Sequence, residues 1–282
     1  MADVLRAARV SLEARGPVGA TDAPAPQPPP FDAELTAEVL IPAFRPIYRS
    51  WFRVEVLGAD QLPAAGAGIV AANHGGGLWA LDSVMTAVAV HDESPAHRFL
   101  RMLGADLIFR TPGLREVAAL AGVAPAREAD LADLLEAGEL VGVWPEGYRG
   151  IGKPFAERYR LQRFGRGGFA RAAVRHGAPI IPTAIVGAEE IHPVLGHAPN
   201  LAKALRLPYF PLTPTFPWLG PLGLIPLPSK WLIEFCPPIP TAHLGPSAAD
   251  DPAVVRELVE QVRSAIETSL SALLARRGGA FA

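Results

Sequence analysis

Two short stretches of this 282-residue chain carry side chains that could do chemistry. The first is Asn73-His74-Gly75-Gly76-Gly77-Leu78-Trp79-Ala80-Leu81-Asp82, where an imidazole and a carboxylate are separated by a glycine loop. An Asp bonded to one ring nitrogen of a His leaves the other nitrogen free to act as a general base. Asp82 could equally serve only as a helix N-cap. The second is Trp144-Pro145-Glu146-Gly147-Tyr148-Arg149-Gly150, a tight turn offering a carboxylate and a guanidinium. A guanidinium fork suits phosphate. Between Lys153 and Arg175 seven basic residues accompany one acidic residue, Glu157, with Phe155, Tyr159, Phe164 and Phe169 among them. Such a run is either a solvated face or an anion site for phosphate-bearing ligands or anionic lipid headgroups.

The elements around these stretches place them at strand ends. Gly68 to Ala72 leads into the His loop as a strand, and Ser83 to Val90 leads out as a helix. Leu140 to Trp144 is a buried strand before the Pro-Glu-Gly turn, and Val123 to Ala126 is an extended piece ending at Arg127. Val54 to Val56, Arg98 to Met102 and Ile180 to Val186 are further strands, with Pro182 marking an edge or a bulge. Helices fall between them at Leu114 to Ala121, Asp130 to Ala137 and Phe169 to His176. The alternation predicts an α/β fold, a mostly parallel central sheet flanked by helices. Loops beyond the strand ends are where such folds hold their ligands. The last helix has Asp251 as cap, Pro252 in its first turn, and Val255, Leu258, Val262, Ile266, Leu270 and Leu273 as its apolar stripe.

Two flanking regions differ. Residues 1–30 form a Pro/Ala-rich tail expected to be disordered, in which Thr21 to Pro30 cannot helix and Leu5 to Glu13 could do so transiently, so the folded domain spans 31–282. From Phe31, Leu35, Val39, Leu40, Phe44, Ile47, Tyr48, Trp51 and Phe52 recur at helical spacing, while Pro42 and Pro46 interrupt them. This predicts an amphipathic helix pair ahead of the sheet. It either faces the core or lies on a membrane with Arg45, Arg49 and Arg53. Leu207 to Ser229 holds seven prolines and no charge. It cannot be a spanning helix, and is read as a wall over the core, or a surface dipping into a bilayer or lining an acyl groove.

Bulk properties narrow the classes. Half the residues are hydrophobic and the net charge is −2, so no global pull toward nucleic acid exists. The single cysteine, Cys236, excludes an intrachain disulfide and a cysteine-rich zinc site, and reads as a buried structural thiol. No second His stands at ligand spacing near His74, so no metal is expected. Neither a signal peptide nor a spanning apolar run is visible.

The blocks in this order resemble the successive motifs of the glycerolipid acyltransferases, the lysophosphatidate and glycerol-phosphate acyltransferase family. They are Asn73-His74 with Asp82, then Arg127, then Pro145-Glu146-Gly147 with Arg149, then Ile181-Pro182. The resemblance covers roughly Leu35 to Pro240. It departs in one place: the family usually has four residues between His and Asp, and here there are seven, as in a bacterial branch with a longer glycine-containing spacer. Trp144, Tyr148 and Gly150 also stand where Phe, Thr and Ser are common. The resemblance implies that His74 takes the proton of a substrate hydroxyl, oriented by Asp82, and that this hydroxyl attacks an acyl thioester directly. Asn73, Gly75, Gly76, Arg127, Glu146, Gly147, Arg149 and Lys153 are the implied substrate-binding residues. The implied partners are a lysolipid or glycerolipid acceptor, an acyl-CoA or acyl carrier protein donor as co-substrate with no further cofactor, and the cytoplasmic face of a membrane, held peripherally or monotopically. A lipid-directed hydrolase and a non-catalytic lipid-binding protein are the competing readings.

Overall fold

Strand β2 (Gly68–Ala72) is buried along its whole length because both faces of the sheet around it are covered. Ile69 and Ala71 point into one core and Val70 and Ala72 into the other, the period-two alternation of a strand. In this computed structural model, which describes residues 31–205 and 210–281, β2 lies in the middle of a seven-stranded sheet of order β1-β9-β6-β2-β5-β3-β4. Strands β3 (Leu100–Gly104), β4 (Ala124–Pro125), β5 (Leu140–Val143) and β6 (Ile180–Val186) run parallel to β2. Strand β9 (Leu232–Phe235) is antiparallel to β6, and β1 (Glu55–Leu57) is parallel to β9. The sheet is therefore mixed and mostly parallel. β7 (Gly196–His197) and β8 (Pro211–Leu212) pair separately.

A helical run, α1 (residues 33–51), and α2 (Leu81–Glu93) cover one face. Helices α3 (Asp106–Arg110) and α4 (Leu114–Leu120) connect β3 to β4. Helices α5 (Glu128–Glu136), α7 (Gly168–His176) and α9 (Pro252–Arg276) cover the opposite face. Short helices α6 (Tyr148–Ile151) and α8 (Pro199–Ala204) lie in the connections. The expected stripe of α9 is buried in full, and Asp251 caps it by accepting the Ala253 N–H at 2.8 Å. Cys236 is buried as expected.

Three expectations are changed or sharpened. The helix pair is one unbroken helix: the backbone stays right-handed helical at Leu40, Ile41, Pro46 and Ile47. π turns at Thr36–Leu40 and Ile47–Trp51 widen the coil on either side of the prolines, so their missing N–H groups do not end it. Ile41, Tyr48 and Phe52 of this run are core, and Arg45 makes a bidentate pair with Asp92, both bonds 2.8 Å, which holds that carboxyl down at about 2. Pro182 does not mark an edge, since β6 is paired on both sides; it marks a bulge. Thr183 faces Phe235 while Ile180 bridges Ile239, so three steps on β6 match four on its partner. Among the described residues no helix is long and apolar enough to cross a membrane. The Pro/Ala-rich tail 1–30 and residues 207–209 of the apolar segment lie outside the described residues.

Candidate active site

Strands β2, β4, β5 and β6 all deliver the chain to the same edge of the sheet. Past β2, the Asn73 side chain accepts the Ile185 N–H at 2.7 Å and donates to the Ile185 carbonyl at 3.0 Å. Fully buried, it stitches β2 to β6 through both polar atoms of its side chain. The chain then turns. His74 Nδ1 stands 2.6 Å from Asp82 Oδ2 in the first turn of α2, and the Gly75 N–H donates to the same oxygen at 3.0 Å. A carboxylate only accepts, so Nδ1 carries the proton and Nε2 presents a lone pair. Nε2 has no partner among the described residues. The seven-residue spacer therefore still brings the pair together, and the positive end of α2 favours a carboxylate there.

Each glycine of the spacer is required by a neighbour. A Cβ on Gly75 would lie 2.2 Å from Glu189 Cγ, and one on Gly77, at φ +63°, 2.2 Å from His192 Nδ1. On Gly76 it would meet Asp82 Oδ1 at 2.2 Å and the backbone nitrogens of Asp82 and Leu81 at 2.3 and 2.5 Å. Those nitrogens belong to α2 and cannot swing aside, so Gly76→Ala should push the His-bearing loop off Asp82. A displacement of that size costs about 100-fold in turnover. Steady-state kcat checks it, with Gly196→Ala, whose Cβ meets nothing within 4 Å, as the comparison. An unchanged kcat for Gly76→Ala would show that the spacer does not set the pair.

Glu146, at the end of β5, faces inward. Oε1 accepts the His74 N–H at 2.8 Å; Oε2 accepts the Gln162 N–H at 2.6 Å and Lys153 Nζ at 3.3 Å. Lys153 Nζ also donates to Glu189 Oε1 at 3.1 Å and to the Arg160 carbonyl at 3.1 Å. All three charged side chains are buried. Glu146 and Lys153, the expected substrate-binding residues of this turn, hold the His loop from beneath. Burial pushes the Glu189 carboxyl up to about 7 against the lowering effect of Lys153. Gly150 stays small because a Cβ there would lie 2.7 Å from the His74 carbonyl. The sequence reading missed Glu189 and His192; the only signal was that both follow β6 at the same sheet edge. His192 donates from Nε2 to the Leu224 carbonyl at 3.1 Å, and burial lowers its pKa.

The remaining expected residues are at the surface. Arg149 is exposed in α6, beside a groove lined by Tyr148, Gly152, Gln162 and His197. Gly147 turns the chain into α6 at φ +56°. Arg127 is exposed at the start of α5, after β4 at the outer edge of the sheet. Among the backbone amides of the glycine loop, that of Gly75 is bonded to Asp82 and that of Gly77 to the Gly75 carbonyl. That of Gly76 has no partner among the described residues. Across the loop, the apolar segment displays Trp218, Leu219, Leu222 and Ile225, with Trp218 71% exposed. Two exposed tryptophans lean on it: Trp51 Nε1 donates to the Pro226 carbonyl at 3.0 Å and Trp79 Nε1 to that of Leu224 at 3.3 Å. Among the described residues no group of three or more His, Cys, Asp or Glu side chains is arranged to hold a metal ion.

Comparison with known proteins agrees with this geometry. A family model described as Acyltransferase matches residues 53–186, which includes the His74–Asp82 loop and the Glu146 turn. Uncharacterised proteins of Mycobacterium tuberculosis and Mycobacterium leprae are 52% and 50% identical over 251 residues, 89% of this chain and 70% and 68% of theirs. In fold the chain is similar to the 1-acyl-sn-glycerophosphate (LPA) acyltransferase PlsC of Thermotoga maritima, with a TM-score of 0.55 at 17% identity, covering 88% of this chain and 85% of that one. The His74–Asp82 pair thus sits inside the region that matches the Acyltransferase model, in a fold similar to that of the Thermotoga protein.

Proposed function

We propose that the protein moves a fatty acyl group from a thioester donor, acyl-CoA or acyl carrier protein, to a hydroxyl of a lysophospholipid or glycerolipid. The observation that carries this reading is the 2.6 Å His74–Asp82 contact, which leaves Nε2 as the proton acceptor. His74 Nε2 takes the proton as the acceptor oxygen bonds to the thioester carbonyl carbon. Asp82 stabilises the imidazolium formed. Collapse of the tetrahedral adduct breaks the carbon–sulfur bond, and His74 returns the proton to the leaving thiolate. No covalent acyl-enzyme is needed. The exposed Trp51, Trp79, Trp218 and Leu222 support work at a membrane surface; we propose the cytoplasmic face, with the protein held there without spanning.

The test is a donor and acceptor panel with purified protein, read by lipid mass spectrometry. Acylated lipid formed in proportion to thiol released supports transfer. Free fatty acid in its place would assign a hydrolase, and neither product a binding protein. Within the panel, Arg149→Ala should raise KM about tenfold for a phosphate-bearing acceptor and leave that for a neutral alcohol alone. Equal KM values for both acceptors would remove Arg149 from acceptor recognition.

A further inference from the structure

After α6 the chain crosses the end of β5 as an extended strap, residues 160–166, fixed from several sides. The Gln162 N–H bonds Glu146, the Gly165 N–H bonds the Pro145 carbonyl at 3.0 Å, and Lys153 bonds the Arg160 carbonyl. From α9, Arg263 donates to the carbonyls of Leu161 and Gln162, both at 2.9 Å, with its guanidinium 5.7 Å from the Phe164 ring centre. Leu161 and Phe164 are buried in the core beneath α7 and α9. Every third side chain, Arg160, Arg163 and Arg166, points outward and is exposed. None of the three side chains has a partner among the described residues. The neighbouring basic residues do: Arg158 stacks on Phe155, Arg171 pairs with Glu128 and Arg175 with Asp250. Glu157, the acidic residue of the run, is engaged by Gln162.

A rigid backbone displaying unpartnered guanidinium groups at regular spacing is a preorganised polyanion surface. At about 3.3 Å per residue the strap spreads its three forks over roughly 20 Å. It flanks the His74 loop on the α7 and α9 side, while the apolar rim of Trp79, Trp218 and Leu222 flanks the α1 and α2 side. The groove beside Gln162, lined by Tyr148 and Arg149, joins the strap to the Glu146 turn. A thioester donor bearing a phosphorylated nucleotide presents several phosphates at one end and its reacting carbonyl at the other. We propose that Arg160, Arg163 and Arg166 dock the phosphates of an acyl-CoA donor, so that the thioester reaches His74 from the basic side and the lipid acceptor from the apolar side. The proposal rests on the acyl-transfer reading and narrows its donor.

The experiment uses the full chain and the triple variant Arg160→Gln/Arg163→Gln/Arg166→Gln, whose changes are all at exposed positions; thermal melting confirms that it folds. Binding of free CoA by calorimetry should weaken at least tenfold in the variant, and kcat/KM for acyl-CoA relative to acyl-pantetheine, which lacks the nucleotide, should fall by the same factor. An unchanged ratio with unchanged CoA affinity overturns the proposal. So does a selective loss of transfer from acyl carrier protein, which would give the strap to an acidic protein. Selective loss of binding to anionic vesicles would give it to a lipid surface and overturn it too. Calorimetry needs no turnover, so an enzyme inactive with every donor that still binds CoA through these arginines would sink the acyl-transfer reading and leave the docking site standing.

Discussion

His74→Ala is expected to lower kcat for acyl transfer by about 1000-fold or more, the scale on which positioned general bases act, with the protein still folded. The ring is the group that takes the proton of the attacking hydroxyl; without it the alcohol must lose that proton to water. Asp82→Asn separates geometry from charge. It keeps the size of the side chain but offers an amide where Nδ1–H needs an acceptor at 2.6 Å. An amide that donates to Nδ1 forces the ring proton onto Nε2, the atom that has to accept. A drop of roughly 100- to 10,000-fold follows, without change in acceptor KM. Steady-state kinetics on both variants, with melting curves to confirm folding, decide the matter. A His74→Ala protein with wild-type turnover would sink the assignment of the base, and an Asp82→Asn protein with normal kcat would reduce Asp82 to a structural acceptor for the Gly75 N–H.

The residues that meet through a strand end or a short loop were legible in the sequence, and those that meet across the fold were not. The strand before His74 and the helix bearing Asp82 are marked by an apolar run and an amphiphilic one, and Asp82 is the one carboxylate within the stretch from Asn73 to Asp82. Likewise α9 announces itself through Asp251, Pro252 and a six-residue apolar stripe. Asn73 looked like a site residue because it adjoins His74; its partner, Ile185, lies 112 positions away and carries no side-chain signal, because the bonds are to backbone. Glu146 looked like a substrate ligand because it stands in a strand-end turn that carries the Pro-Glu-Gly block. What turns it inward is a combination of His74, Gln162 and Lys153 that only the crossing of β2, β5 and the strap creates. Pro42 and Pro46 gave the right signal and the wrong outcome. Proline removes a donor, but two π turns absorb the loss, because Tyr48 and Phe52 must still reach the core.

The carboxylates beneath the His loop set the second large effect. Lys153 lies 3.3 Å from Glu146 and 3.1 Å from Glu189, with all three side chains within 4% of full burial. Replacing it by Met leaves two buried carboxylates with no cation between them. Breaking a buried pair in this way costs about 3–5 kcal/mol, or on the order of 10 °C in melting temperature for a domain of this size. The loss has a pH signature. Glu189 in the folded protein titrates at about 7, against 4.5 ordinarily. Between those values the folded state keeps a proton that the unfolded chain has released, so this group's contribution to stability falls as pH rises from 4.5 through 7. Lys153 restrains that shift, and Lys153→Met extends the window upward. The penalty should therefore be larger at pH 8 than at pH 5.5, where a proton can replace the missing cation, and Lys153→Met/Glu189→Gln should recover part of it at pH 8. Because Glu146 holds the His74 N–H at 2.8 Å, loosening the trio also lets the His loop drift from Asp82. A kcat loss of tenfold or more is expected even at temperatures where the variant is fully folded. Melting curves at the two pH values, paired with kcat below the transition, measure both parts. A penalty that does not change with pH would show that the lost packing of the lysine stem, and not its charge, is what supports the loop.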